Sequence, residues 1–163
     1  MALTYTPQPK LGSLCPSFDL PTVDGQRLRL QDLKSHRALV VMFICNHCPY
    51  VKAIEDRLIV LAKDLQREGA AVVGICSNDA QDYPEDSPAQ LLQRWREKNY
   101  GFPYLIDEAQ TVAKAFGAVC TPDFFVYDAE GRLRYRGRLD DSWRDPMAVR
   151  HQELKEATQA IMA

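Results

Sequence analysis

Two cysteines three residues apart, Cys45 and Cys48, enclose Asn46 and His47 and are followed by Pro49. These are the residues of the chain best suited to do chemistry. A thiolate attacks disulfide sulfur or peroxide, and a second thiol within reach can resolve the product. Their position strengthens the case. Ala38 to Ile44 is an unbroken apolar run that reads as a strand buried on both faces. Val51, Ile54, Leu58, Leu61 and Leu65 then recur at helical spacing. The pair therefore falls at a strand-to-helix junction, with Pro49 suited to the first helical position. A thiol there meets unpaired backbone N–H groups and the positive end of the helix dipole, both of which favour thiolate. A fall in pKa from about 8.5 to about 6.5 raises the thiolate fraction at pH 7 from roughly 3% to roughly 75%.

Cys48 is the candidate nucleophile, and attack requires its sulfur exposed at the tip. Cys45 ends the strand and is the candidate resolving thiol, three residues of turn being enough to bring it within disulfide reach. His47 reads two ways. Protonated it lowers the pKa of Cys48, and neutral it can move a proton; alternatively it is a plain turn residue facing solvent. Cys76 and Cys15 read as structural thiols, and His36 and His151 as isolated residues. Arg132, Arg134, Arg136 and Arg138 alternate, which places them on one face of a strand as an anion site or, more simply, as charge guarding a sheet edge.

The elements that must carry this pair fit one domain over residues 1–163, with 1–12 as a loose arm. Phe18 to Leu30, turning at Asp24-Gly25, alternates as a β-hairpin. Residues 31–35 give a short helical turn or loop. Strands follow at 38–44 and 70–75, joined by a helix over 49–68 that Gly69 terminates, so the two strands are parallel. Residues 78–86 are loop. Ser87 with Gln90 caps a helix to about Asn99. A short strand over 102–106 leads to a helix capped by Asp107 with Gln110 and ended by Gly117. Ala118 to Pro122 is loop, strands at 124–127 and 133–139 pair antiparallel, and Asp145-Pro146 opens a final helix. The class is α/β, a mixed central sheet flanked by helices, with the hairpin as an N-terminal extension.

Composition bounds the function. The chain has 163 residues, 46% hydrophobic and 26% charged, with a net charge of −2, which gives no reason to expect nucleic acid or an anionic membrane as partner. No apolar stretch is long enough for a membrane-spanning helix. Met1 to Lys10 lacks the pattern of a signal peptide, so the expected location is the cytoplasm. Five cysteines are too few for a disulfide scaffold, and a CxxC pair in a reducing compartment is redox-active or metal-binding.

The order of elements, a cysteine at a strand-to-helix junction and Pro122 just before the closing hairpin resemble the thioredoxin fold. Gly12-x-x-Cys15-Pro16-x-Phe18-x-Leu20 followed by Asp24-Gly25 looks like the opening of the peroxiredoxin and thiol-disulfide reductase branch. Cys45-Asn-His-Cys-Pro-Tyr-Val51 and Cys120-Thr-Pro-Asp-Phe-Phe are similar to its peroxiredoxin-like members. The resemblance covers residues 10–162. It implies that Cys48 holds the nucleophile's place and that Thr121-Pro122 is a cis-proline turn facing it, presenting backbone to an extended substrate. It also implies that Cys120 lies near the pair, as a third redox thiol or a buried filler. The sequence departs from the pattern twice. The second cysteine lies upstream of the nucleophile, not downstream. The threonine and proline that peroxiredoxins carry three and seven residues before the nucleophile are replaced by Cys45 and Val41. The first expectation is therefore a thiol-disulfide oxidoreductase acting without a cofactor on a protein or small-molecule disulfide and regenerated by an external thiol reductant. The alternatives are a slow thiol peroxidase acting on a peroxide, and a copper- or zinc-binding thioredoxin-like protein using Cys45, His47, Cys48 and Cys120.

Overall fold

The computed structural model describes residues 10–33 and 36–163. Most of the arm expected over 1–12 lies outside these residues. Its end is held: the Gly12 N–H donates to the Leu133 carbonyl at 2.7 Å, and Leu14 bridges Arg132.

Strands β1 (Asp19–Pro21) and β2 (Arg27–Arg29) form the antiparallel hairpin. The central sheet is built from β3 (Ala38–Phe43), β4 (Ala70–Cys76), β5 (Tyr104–Ile106), β6 (Asp123–Asp128) and β7 (Leu133–Gly137), in the order β5-β4-β3-β6-β7. The first three run parallel, while β6 and β7 are antiparallel to their neighbours. Every residue of β3 and β4 is buried, as a continuous apolar run demands of strands covered on both faces. Helix α1 (Pro49–Arg67) turns Val51, Ile54, Leu58, Leu61 and Leu65 inward, the stripe read from the sequence. With α2 (Pro88–Glu97) and α4 (Glu153–Met162) it covers the face bearing Val40, Met42 and Ile44. The face bearing Leu39, Val41 and Phe43 is covered by α3 (Thr111–Phe116) and Phe18. Full burial of one such side chain stabilises by about 1.5–3 kcal/mol.

Two expectations are corrected, and an alternative left open for the arginines is decided. Asp145 caps only a single 3-10 turn, Pro146–Ala148, through a bond to its own Met147 N–H. Asp141 then accepts from the Arg150 N–H and donates its own N–H to the His151 carbonyl, which ties the chain into a loop. The last helix therefore begins at Glu153 and leaves Met147 exposed. Gln110 itself occupies the N-cap position of α3, left-handed at φ 62°, and its side chain makes no capping bond. The Asp107 carboxylate, from outside the helix, accepts from the Val112 and Ala113 N–H groups in its place. The alternating arginines do not make a common anion site. Arg134 pairs with Asp128, Arg138 with Glu153, and Arg136 is buried against Asp123 and the Phe125 ring. The β6–β7 register shifts between Val126 and Tyr127, which pair with Tyr135 and Leu133, and so interrupts their alternation at Arg134.

Candidate active site

Strand β3 ends at Phe43, and five residues carry the chain to α1. Ile44 is still tied to the sheet, its N–H donating to the Ile75 carbonyl at 3.0 Å. Cys45 follows as the first residue past the ladder, and Cys48 is the N-cap of α1, with Pro49 exposed at the first helical position. The helix start thus arises as the sequence implies: an apolar strand runs out, and proline pre-sets the first turn.

The turn between them is held by a residue that sequence reasoning missed. The Asp86 carboxylate, 3% exposed, accepts from the Asn46 N–H at 2.6 Å and the His47 N–H at 3.2 Å. Its other oxygen accepts from Asn78 Nδ2 at 2.9 Å and pairs with His47 Nδ1. The His47 ring stacks on Tyr83, with centroids 4.0 Å apart and planes 5° from parallel. Asn46 reaches away from the pair and donates to the Glu85 and Gln90 carbonyls. The loop over 78–86 offers Asp79, Asp82, Glu85 and Asp86, and nothing in their spacing singles out the one that folds inward. His47 is accordingly neither a loose turn residue nor a partner drawn to Cys48; Asp86 holds it.

On the other side lies the loop before β6. The Thr121–Pro122 peptide bond is cis, as the resemblance implies. The Cys48 thiol donates to the Thr121 carbonyl at 3.4 Å, and Cys45 Sγ lies 3.5 Å from Thr121 Oγ1. One residue thus touches both sulfurs. Cys120 is half-buried and lines a groove of about 340 Å³ with Phe43, Asn78, Lys114 and Thr121. On the α1 side, Tyr50 meets the half-exposed Trp143 edge to face at 4.5 Å.

The sulfurs are chemically unequal. Cys48 is pulled down to about 5, first by the hydrogen bond that Cys45 offers its thiolate, against the cost of burial, and then by the Thr121 hydroxyl and the Val51 and Tyr50 N–H groups. Cys45 is pushed up, because it gives its proton toward Cys48, is buried and lies near the Asp86 charge. One expectation fails on geometry. Cys48 is 0% exposed and Cys45 1%, so the nucleophile does not present an open tip. The helix N-terminus draws the sulfur inward, and the Thr121 carbonyl sits on it.

Comparison with known proteins places this geometry. Residues 11–136 match the AhpC/TSA family. The chain is 28% identical to thiol:disulfide interchange protein DsbE of Pseudomonas aeruginosa, over 94% of this chain and 82% of that protein. It is 29% identical to peroxiredoxin Bcp of Escherichia coli K12, over 77% and 83%. Among solved structures, an uncharacterized conserved protein from Geobacillus kaustophilus superposes with a TM-score of 0.88 at 46% identity, covering 93% of this chain and 82% of that one. A secreted Mycobacterium tuberculosis disulfide oxidoreductase shares the fold at 20% identity and a TM-score of 0.67, over 88% and 95%.

Proposed function

The chain belongs to the AhpC/TSA family and is a thioredoxin-like oxidoreductase, and from that premise we propose that it catalyses thiol-disulfide exchange through the Cys45/Cys48 pair. The observation that carries the reading is the contact of both sulfurs with Thr121 at the start of α1, with one thiol lowered and the other raised. An attacking thiolate and a protonated reserve are what a two-step exchange needs.

The Cys48 thiolate attacks one sulfur of a substrate disulfide, forming a mixed disulfide and expelling the other sulfur as thiolate. Cys45 then loses its proton to that departing thiolate and attacks Cys48 Sγ. That attack expels the second substrate sulfur as thiolate, which takes a proton from water, and a Cys45–Cys48 disulfide remains. Two electrons have passed from the pair to the substrate, and an external thiol reductant restores them. Thr121 holds the two sulfurs in place, and its backbone borders the path of an incoming disulfide. The cytoplasmic setting expected from the sequence belongs to this reading, since a reducing compartment keeps the pair charged.

A slow, antioxidant peroxidase is the second reading, favoured by the likeness to peroxiredoxin Bcp. Against it, the residue three before Cys48 is Cys45, a thiol where peroxide orientation calls for a hydroxyl. The deciding experiment mixes reduced protein with glutathione disulfide or with hydrogen peroxide in stopped flow and maps the products by mass spectrometry. A Cys45–Cys48 bond formed readily from the disulfide, with peroxide reacting no faster than with a small thiolate, supports exchange. A peroxide rate far above that of a small thiolate replaces it with the peroxidase.

A further inference from the structure

Buried carboxylates need a partner charge or a full set of donors. Glu55 has Arg94 and Lys98, Asp123 has Arg136, and Asp140 has Arg57. Asp107 caps α3 and takes the Ser77 hydroxyl. Asp86 differs, because among the described residues its only ion-pair partner is His47. The position of a permanent cation is taken by a group that carries charge only when protonated.

The same corner holds a sulfur. One donor atom each from Cys45, His47 and Asp86 lies within 4.8 Å of the other two. The Cys45 and Asp86 residues are buried, and the His47 side chain is 14% exposed, which leaves one edge open to solvent. Tetrahedral zinc, with bonds of about 2.0–2.3 Å, sets its donors roughly 3.3–3.7 Å apart. Small side-chain rotations bring these three to that spacing, with His47 Nδ1 and Asp86 parting to admit the ion. The backbone N–H bonds that Asp86 accepts from Asn46 and His47 fall on one oxygen, and the second, which faces His47 Nδ1 and takes the Asn78 Nδ2 at 2.9 Å, is the one that turns to a metal. One sulfur, one imidazole nitrogen and one carboxylate oxygen suit zinc; magnesium and calcium take oxygen alone, and copper(I) prefers more sulfur.

We propose that Cys45, His47 and Asp86 form a binding site for a zinc-class divalent cation in the reduced protein, with the fourth position open to solvent. The site holds Cys45 as a bound thiolate and so withdraws the resolving thiol. On the exchange reading, and resting on it, oxidation expels the ion. Metal-bound Cys45 thiolate and Cys48 thiolate together give two electrons to a substrate disulfide, which leaves as two thiolates, while the Cys45–Cys48 disulfide forms and the cation is released.

The test is titration of the reduced full chain with cobalt(II), whose thiolate charge-transfer and tetrahedral d–d bands report the ligand set. One cobalt per chain is expected, displaced by zinc and lost on oxidation. The Cys48→Ser protein is expected to bind within about threefold of wild type, because its sulfur is not a ligand. That variant cannot carry out exchange, so binding and exchange fail separately. Cys45→Ser, His47→Ala and Asp86→Asn are each expected to weaken binding at least about a hundredfold. Absence of stoichiometric binding overturns the proposal. So does binding that is lost in Cys48→Ser but kept in His47→Ala, which assigns the ion to the dithiol. Should Asp86→Asn fail to fold by circular dichroism, His47→Ala decides alone, since its ring meets solvent at one edge, and retained binding there overturns the site.

Discussion

Cys48 and Cys76 are equally hidden from water, at 0% and 2% exposure, yet their thiols move in opposite directions. Cys76 ends β4 and is pushed up to about 12 by burial. Cys15, half-buried beside the β6–β7 turn, is likewise raised to about 12. Cys48 is also opposed by burial and still falls to about 5. The difference lies in what points at the sulfur. Cys76 has the Asn78 N–H and the Tyr104 hydroxyl facing it, which do not outweigh its burial and the nearby Asp86 and Asp107 charges. Cys48 caps a helix, where the Tyr50 and Val51 N–H groups have no carbonyl to meet, and Cys45 and Thr121 add their own donors. Burial outweighs one or two donors at Cys15 and Cys76, whereas four donors at a helix start outweigh burial at Cys48.

Removing the donor-ringed sulfur should have the largest effect. Cys48→Ser should lower glutathione-disulfide reduction to background, at least ~1000-fold, because a serine hydroxyl yields no reactive anion near neutral pH. Cys45→Ser should still attack, then stop, so that a mixed disulfide at Cys48 accumulates and is seen as added mass. If Cys48→Ser kept more than a tenth of the wild-type rate, the contrast drawn between the sulfurs would be mechanistically empty.

The next effect is on pH. The Cys48 pKa is depressed, so its thiolate is present above about 5 and disappears as pH falls through that value. Titrating thiolate absorbance from pH 4 to pH 9 should show one step near 5 in wild type and none in Cys48→Ser. The linkage follows with its sign. The unfolded thiol holds its proton up to about 8.5, so between about 5 and 8.5 the unfolded chain binds more protons, and stability rises with pH. This contribution is complete above the unfolded pKa and lost as pH falls toward 5. The reduced wild type should therefore gain on Cys48→Ser in chemical denaturation as pH is raised across that window. Thr121→Val removes one donor and should move the absorbance step up by roughly one pH unit.

Much of this contrast was legible in the sequence, because it follows from periodicity. The run from Ala38 to Ile44 and the stripe from Val51 to Leu65 located the junction, and the junction located the helix N-terminus. What could not be read is what folds back from a distance. Asp86 lies 40 residues beyond Asn46 and among other acids, and only the inward turn of Pro84–Asp86 selects it. The burial of Cys48 was also hidden, because the Thr121 carbonyl that covers it lies 73 residues on, in the loop before β6, which the sheet sets beside β3. The final helix was misplaced for a related reason. Asp145-Pro146 is a sound local start signal, and a bond from Arg150 to Asp141 overrules it.

The smallest expected effect tests the silent side of the comparison. Cys76 Sγ is buried in the cluster that also holds Tyr104, and no sulfur chemistry is assigned to it. Its loss should therefore read as packing. Cys76→Ala removes one buried atom and leaves a void smaller than that of a leucine truncation, for a cost of about 1 kcal/mol. Exchange should stay within about twofold of wild type, and the absorbance step near 5 should not move, because none of the donors around Cys48 comes from Cys76. Cys15→Ala should behave alike at similar cost, since its half-buried sulfur makes a long 3.6 Å bond to the Pro16 carbonyl and meets the Tyr127 hydroxyl. The informative failure would be a tenfold loss of exchange with unchanged stability in either variant. That would make a silenced thiol part of the electron path, and position at the helix N-terminus would no longer separate the reactive sulfurs from the inert ones.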